Sequence, residues 1–146
     1  MSDYWSIVEP FWEAINIYEG PEVFRQTFDS VPKVSGLLFA AHLCQSEVCN
    51  GGFRQFFSNS TGVLAPEAAE GFREIGQSKV AILIQSAIGL LGSPYPRDRE
   101  EWQVRLRQVR KGSLDLLDEE FFVLIESENG GFQTAADGYS ERGQNK

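Results

Sequence analysis

Few residues of this chain can act as soft metal ligands or nucleophiles, because it has only two cysteines, one histidine and one methionine. Cys44 and Cys49 lie five residues apart in a segment whose pattern predicts a helix, so they point in different directions and cannot form a disulfide. Two free thiols favour a reducing compartment. The N-terminus also lacks the basic and apolar pattern of a secretion signal, and we therefore expect a cytoplasmic protein.

Long apolar runs and positive charge are scarce as well. The most apolar stretch, residues 80–91, is interrupted by Gln85 and Ser86, and it is shorter than the roughly 20 residues that a bilayer span needs. The 13 basic and 21 acidic side chains give a net charge of −8, which repels nucleic acid and anionic membranes. We therefore expect no direct nucleic-acid binding and no membrane association, and cationic protein surfaces are the favoured partners.

The chain also lacks the strict apolar and polar alternation that is typical of a half-buried strand. Apolar residues instead recur at spacings of three and four, which predicts amphipathic helices. The predicted fold class is all-α, with a single compact domain of about seven or eight helices that are mostly antiparallel neighbours. We assign this domain to residues 1–128 and expect the small, polar segment 129–146 to be a flexible C-terminal tail.

Proline and glycine divide the chain into its predicted helices. The predicted ranges are about 3–19, 22–28, 34–48, 66–75, 78–91, 98–111 and 114–128. Pro10 either kinks the first helix or marks its first turn. Asp98 and Glu101 resemble a capping box at the start of a basic helix, which Gly112 and Ser113 separate from an acidic one. These last two helices are expected to lie antiparallel, so that their charges partly cancel.

The one compact group of possible metal ligands is His42, Cys44, Glu47 and Cys49. On a helix His42 and Cys49 share a face while Cys44 lies far from both, and the ligand spacing of known zinc sites is missing. A cysteine and histidine nucleophilic pair meets the same objection, and a helix end would raise the energy of a Cys49 thiolate. We predict no catalytic residue, no metal and no cofactor, and a packed core histidine is the favoured interpretation.

Acidic residues are concentrated in residues 1–30 and 115–128, whereas residues 97–111 are rich in arginine. The candidate acidic interaction surface consists of Asp3, Glu9, Glu13, Glu19, Glu22, Asp29, Asp115, Asp118, Glu119, Glu120, Glu126 and Glu128. Two interpretations are open: solvated faces that neutralise the basic run, or a dedicated binding surface.

The most distinctive local motif is Asn50-Gly51-Gly52-Phe53. Glycine after a helix can adopt a left-handed conformation, so the pair is predicted to end a helix and to begin a packing cluster of Phe53, Phe56 and Phe57. A phosphate-binding loop is disfavoured because no strand precedes the glycines and the motif lacks the required spacing.

Residues 47–62, EVCNGGFRQFFSNSTG, resemble the signature of the DMP19-like family, also called DUF4375. The similarity continues through residues 68–76 and, more loosely, through 116–122. The motif residues are Glu47, Asn50, Gly51, Gly52, Phe53, Gln55, Phe56, Phe57, Asn59 and Gly62, and we expect them to be structural. The resemblance implies an all-helical fold.

The family's named member is a bacterial protein that dimerises and presents carboxylates in a pattern similar to DNA phosphates. The resemblance therefore implies a homodimer and an acidic interaction module that acts as a DNA mimic on the DNA-binding surface of a basic partner, such as a transcription factor. Three alternatives remain: an immunity protein against a cationic toxin, an uncharacterised enzyme with a pocket near His42 and Cys49, and a helical module with a purely structural role.

Overall fold

The computed structural model describes residues 3–144, and every regular element within this range is helical. The eight α-helices of this range are α1 (Trp5–Val8), α2 (Pro21–Asp29), α3 (Lys33–Ser58), α4 (Ala65–Glu74), α5 (Ser78–Leu91), α6 (Arg99–Gln108), α7 (Lys111–Ser127) and α8 (Phe132–Gln144). Short 3-10 turns occupy Glu9–Phe11, Ser60–Leu64 and Glu128–Gly130. The predicted all-α class is confirmed. None of the described helices combines the length and apolarity that crossing a bilayer requires.

Helix α3 lies at the centre of the molecule. Its residues 35–41 are all buried, which is possible only for a helix that is covered on every side. The other helices pack around it, with α4 between α3 and α5, and α7 against both α3 and α5. Their apolar side chains form one continuous core, in which Phe24, Phe72, Ile84 and Phe121 are completely buried.

Helices α5 and α7 run antiparallel. The carboxylate of Glu128, just after α7, bonds the first turn of α5, whereas Leu90 near the end of α5 lies beside Ser113 in the first turn of α7. Since each end of α5 meets the opposite end of α7, this pair has the expected antiparallel arrangement.

The predicted pairing of the basic and acidic helices is wrong. Helix α6 buries Trp102 and Leu106 against the C-terminal part of α3 and its neighbours, and it does not lie along α7. The break between the two helices falls at Val109 and Arg110, whose backbone is extended, so Gly112 lies within α7. The Asp98 side chain makes no capping hydrogen bond.

The N-terminal segment is not the long helix that the apolar spacing predicted. Helix α1 ends at Val8, a 3-10 turn containing Pro10 follows, and turns and bends then extend to Glu19. Pro10 has no amide hydrogen to donate, so the α-helical hydrogen bonds cannot continue through it. Further along, Asn16 Oδ1 accepts hydrogen bonds from the Tyr18 and Glu19 amides, which satisfies the backbone without a helix.

The predicted flexible tail is also wrong as far as residue 144. Helix α8 buries Phe132, Ala135, Ala136 and Ser140, and Asp137 Oδ1 accepts a 2.8 Å hydrogen bond from the Tyr4 amide. The buried stripe has helical spacing, but it consists mostly of small side chains that a hydrophobicity pattern does not reveal. Residues 1, 2, 145 and 146 of the predicted domain and tail lie outside the described residues.

Candidate interaction surfaces

The two motif glycines divide α3 into two helical segments. Gly51 and Gly52 have non-helical dihedral angles, so the first segment ends at the glycines as predicted, and a second segment follows at once across a kink. Glu47 Oε2 accepts hydrogen bonds from Gln55 Nε2 at 2.6 Å and from Asn59 Nδ2 at 3.2 Å. The Glu47 carboxylate, before the kink, therefore bonds the side-chain amides of two residues that follow the kink.

Gly52 is required by the contact between α3 and α7. Its φ is +76°, and an added Cβ would collide with the Asp118 carboxylate. The same carboxylate accepts a 2.8 Å hydrogen bond from the Phe53 amide, which the kink leaves without a helical partner. Burial raises the pKa of Asp118, against the opposing effect of this hydrogen bond. Asp118 is therefore a structural residue, which corrects its place in the candidate acidic surface.

The phenylalanine cluster forms as predicted and is completely buried. Phe56 and Phe57 pack edge to face at 5.0 Å, and Phe53 packs against Phe121 of α7 at 5.6 Å. Trp102 Nε1 of α6 donates a 2.8 Å hydrogen bond to the Phe57 carbonyl. The motif thus joins α3, α6 and α7.

Two further motif residues differ in their surroundings. An added Cβ at Gly62 would lie 2.8 Å from the Trp102 ring, so glycine permits the close approach of α6. Asn50 is exposed on the outer side of the kink.

The outer side of α7 carries most of the acidic surface that remains exposed. Asp115, Glu119, Glu120 and Glu126 are exposed, and within residues 3–144 none of them lies in an ion pair. Leu116 and Val123, seven residues apart, lie among them on the side of the helix away from the core, and each side chain is 66% exposed. This face combines two aliphatic side chains with four carboxylates.

Glu128 does not belong to that face. Its two carboxylate oxygens accept hydrogen bonds from the Lys79 and Val80 amides at 2.8 and 3.0 Å. These amides are in the first turn of α5, which has no helical acceptor for them. Glu128 therefore caps α5 from a neighbouring element. Like Asp118, it is a structural residue and does not belong to the candidate acidic surface.

The acidic residues of the N-terminal segment are exposed but mostly occupied locally. Asp3, Glu9 and Glu19 accept hydrogen bonds from nearby backbone or side-chain groups, and Asp29 lies 3.8 Å from Arg25. Glu13 and Glu22 are exposed and make no ion pair among the described residues.

The basic run does not neutralise the acidic helix. Arg97 is turned inward, where its Nη2 atom lies 2.8 and 3.0 Å from the two carboxylate oxygens of buried Glu67. Arg25 of α2 approaches the same carboxylate at 3.3 Å. In the part of the chain that the structure describes, no ion pair joins residues 97–111 to residues 115–128. Sequence reasoning missed the Glu67 cluster, because its three members are distant in the chain and look like ordinary surface charges.

His42 does not line the pocket beside Cys49, although Tyr4, whose hydroxyl bonds His42, is one of the walls of that pocket. His42 is half-buried beside the rings of Tyr4, Trp5 and Trp12, and its Nδ1 shares a 2.8 Å hydrogen bond with the Tyr4 hydroxyl. Burial lowers the pKa of His42 and raises the pKa of Tyr4 to about 12, so both groups are uncharged at neutral pH.

The two cysteines have different environments. Cys44 is fully buried, whereas Cys49 is exposed beside Gln45 and Glu126. Partial desolvation, together with the neighbouring Glu126 carboxylate, raises the pKa of the Cys49 thiol even though the residue is exposed, which lowers its nucleophilicity at neutral pH. Residues 3–144 contain no group of three or more histidine, cysteine or acidic side chains placed to hold a metal ion.

The fold and these surfaces define an acidic, all-helical protein whose most conspicuous motif is a structural kink and whose exposed carboxylates lie on other elements. A family model described as DMP19-like protein matches residues 29–141. The chain belongs to the DMP19-like family, and the match covers the kink, the acidic helix α7 and most of α8. No curated protein and no solved structure matched the chain.

Proposed function

We propose that this protein is an acidic interaction module that acts as a DNA mimic, occupying the DNA-binding surface of a basic protein such as a transcription factor. The observation that carries the proposal is the outer face of α7, where Asp115, Glu119, Glu120 and Glu126 are exposed and unpaired among the described residues. A basic partner would neutralise these carboxylates and gain apolar contacts with Leu116 and Val123.

The density of charge on α7 can be compared with that of DNA. The four carboxylates extend over about 17 Å of helix at a rise of about 1.5 Å per residue. Neighbouring charges are therefore about 5 to 6 Å apart on average, which is wider than the spacing of about 3.4 Å along one DNA strand and much sparser than the duplex. One helix therefore imitates part of a strand, and full mimicry requires more than one acidic face.

A homodimer would supply the second face. Two copies would carry twice the net charge of −8, or −16. The outward side of α5 suits self-association because Ile82, Ser86, Gly89 and Leu90 are exposed there, and the only charge in α5 is Lys79. A contact between the α5 helices of two copies would not bring carboxylates close together, whereas a contact between their α7 helices would place like charges against each other.

Binding is proposed in preference to catalysis. His42 does not line the pocket beside Cys49, and neither the histidine nor the thiol is charged at neutral pH. An accessible Cys49 thiol is suited to the cytoplasm, where thiols remain reduced. The charge of the protein disfavours binding nucleic acid directly.

The test is affinity capture from bacterial extract followed by two separate elutions, one with increasing salt and one with short duplex DNA. We expect DNA-binding proteins that are released by moderate salt and displaced by the duplex. A double variant Glu119→Gln with Glu120→Gln should weaken capture. The control, Glu100→Gln with Glu101→Gln, removes the same charge from exposed positions of α6 and should capture normally.

Three results would count against the proposal. Partners insensitive to salt and to DNA would contradict it, and equal losses in both double variants would contradict the assignment to α7. A cationic partner that salt releases but duplex DNA does not displace would instead support an immunity protein.

A further inference from the structure

A pocket of about 310 Å³ lies between the N-terminal segment and the central helix. Its walls include Trp12, Ile17, Tyr18, Phe39 and Leu43. Glu13 and Asn16 supply polar groups at the same site. This volume is at the lower limit of small-molecule sites, so it suits one side chain better than a whole ligand.

The indole of Trp12 is held in a fixed orientation while part of it remains open to solvent. It packs 5.3 Å from Trp5, and the rings of Phe39 and His42 meet it edge to face at 5.2 and 5.9 Å. The residue is nevertheless 38% exposed. Tyr18, on the opposite part of the loop, is 79% exposed.

Glu13 is the one charged side chain among the residues that line the pocket. Glu13 is exposed and has no ion-pair partner within the described range. The only basic residue in positions 1–30 is Arg25, which is directed to Glu67 and Asp29. Behind the indole, burial lowers the pKa of His42, so this ring adds no positive charge at neutral pH. A cation entering the pocket would therefore meet the Glu13 carboxylate and no basic side chain among the residues that form its walls.

We propose that this pocket binds the guanidinium group of an arginine on the protein partner. The planar cation would stack on the rigid indole and pair with the Glu13 carboxylate, while the apolar walls cover its methylene chain. A neutral apolar group would be a poorer occupant, because Glu13 would lose water without gaining a partner. The inference rests on the proposed function, since it assigns one contact to the basic partner.

The pocket can be tested without any partner by NMR titration with Nα-acetyl-arginine N-methylamide. Its neutral isostere, the corresponding citrulline derivative, is the matched control ligand. The arginine probe should shift the Trp12 indole N–H and the Glu13 amide in a saturable manner, and the citrulline probe should shift neither. Trp102 is an internal reference, because its indole is buried and bonded to the Phe57 carbonyl.

Two variants test the roles of the ring and the charge separately. Trp12→Leu keeps apolar bulk but removes the indole face, and Glu13→Gln removes only the charge. Each substitution should lower the affinity for the arginine probe by about tenfold. Glu22→Gln, another exposed carboxylate of the same segment, should leave its affinity unchanged. If Trp12→Leu perturbs the fold, Glu13→Gln still tests the role of the charge.

The outcomes separate this inference from the proposed function. Equal shifts with both probes, or no shift with either, would overturn the arginine pocket even where a basic partner is still captured through α7. Conversely, the arginine probe could bind specifically while neither salt nor duplex DNA releases the captured partners. That result would overturn the proposed function and leave the pocket established.

Discussion

Gly52 combines two constraints that only glycine meets. Its φ of +76° is a conformation that L side chains rarely adopt, and the Asp118 carboxylate occupies the position of a Cβ. Gly52→Ala should therefore lower the free energy of unfolding by at least about 2 kcal/mol, from backbone strain and displacement of Asp118. Urea denaturation measures this change directly.

Gly112→Ala is the matched control for that substitution. Gly112 is in the first turn of α7 with open space around its Cβ position and no positive φ. The added methyl group should stabilise the protein by up to about 1 kcal/mol. If the two variants lose the same stability, the loss does not come from the Gly52 geometry.

Asp118 makes a pH-dependent contribution to the free energy of unfolding, and the sign of this contribution follows from its burial. Because burial raises its pKa in the folded state, the folded protein binds the proton more tightly than the unfolded chain does. The resulting stabilisation is complete below the unfolded pKa and is lost as pH rises through the folded one. The stability of the wild type relative to Asp118→Asn should therefore decrease as pH rises from below the ordinary value of 3.8.

Urea denaturation at a series of pH values from about 3 to 7 measures this difference. Asp115→Asn is the control for losing a negative charge on α7, since Asp115 is exposed in the same helix. A wild-type advantage over Asp118→Asn that increases with pH would show that the Phe53 hydrogen bond outweighs burial.

At the scale of the elements, α5 depends on a cap from outside its own sequence. The Glu128 carboxylate accepts the Lys79 and Val80 amides, and it also interacts favourably with the positive end of the helix dipole. Glu128→Ala should cost about 1 to 2 kcal/mol in urea denaturation. The affinity for a basic partner should change little, since Glu128 is engaged within the fold.

Glu126→Ala is the control for this prediction, since Glu126 is exposed and only two residues away. It should change stability by less than about 0.5 kcal/mol but should weaken capture of a basic partner. The opposite assignment, with Glu128 affecting capture and Glu126 affecting stability, would show that the two roles are reversed.

The elements that sequence predicted well are those with strong local signals. Helices α2 and α4 begin at Pro21 and Ala65, each one residue before the predicted start, and α5 extends from Ser78 to Leu91 as predicted. The failures occur where distant residues decide the outcome. Helix α8 depends on docking a stripe of small side chains, and α6 follows the burial of Trp102 against α3 rather than its charge.

The candidate site was predictable only in part for the same reason. The sequence identified the acidic segments and the structural character of the motif, but it could not separate exposed carboxylates from those that bond distant amides. Asp118 and Glu128 find their partners 65 and 48 or 49 residues away. The pocket beside Trp12 depends on turns that replaced a predicted helix, so no local pattern indicated it.

At the scale of the whole molecule, acidic and uncharged surfaces are separated between neighbouring helices. The outer side of α7 presents carboxylates around Leu116 and Val123, whereas the outer side of α5 presents Ile82 and Leu90 with little charge. Self-association through α5 would bring uncharged side chains of the two copies together rather than the carboxylates of α7.

Matched charge substitutions test this division of roles. The proposed dimer should have twice the chain mass of 16.4 kDa, and Ile82→Arg should convert it to a monomer by burying an unpaired charge at the contact. Val123→Arg is the control, because Val123 is 66% exposed and Ile82 is 63% exposed, so both positions accept an arginine in the folded monomer. Sedimentation equilibrium should show a dimer for Val123→Arg and a monomer for Ile82→Arg. A monomeric wild type at high micromolar concentration, or a monomer produced only by Val123→Arg, would contradict self-association through α5, since α5 contacts predict sensitivity at Ile82 alone.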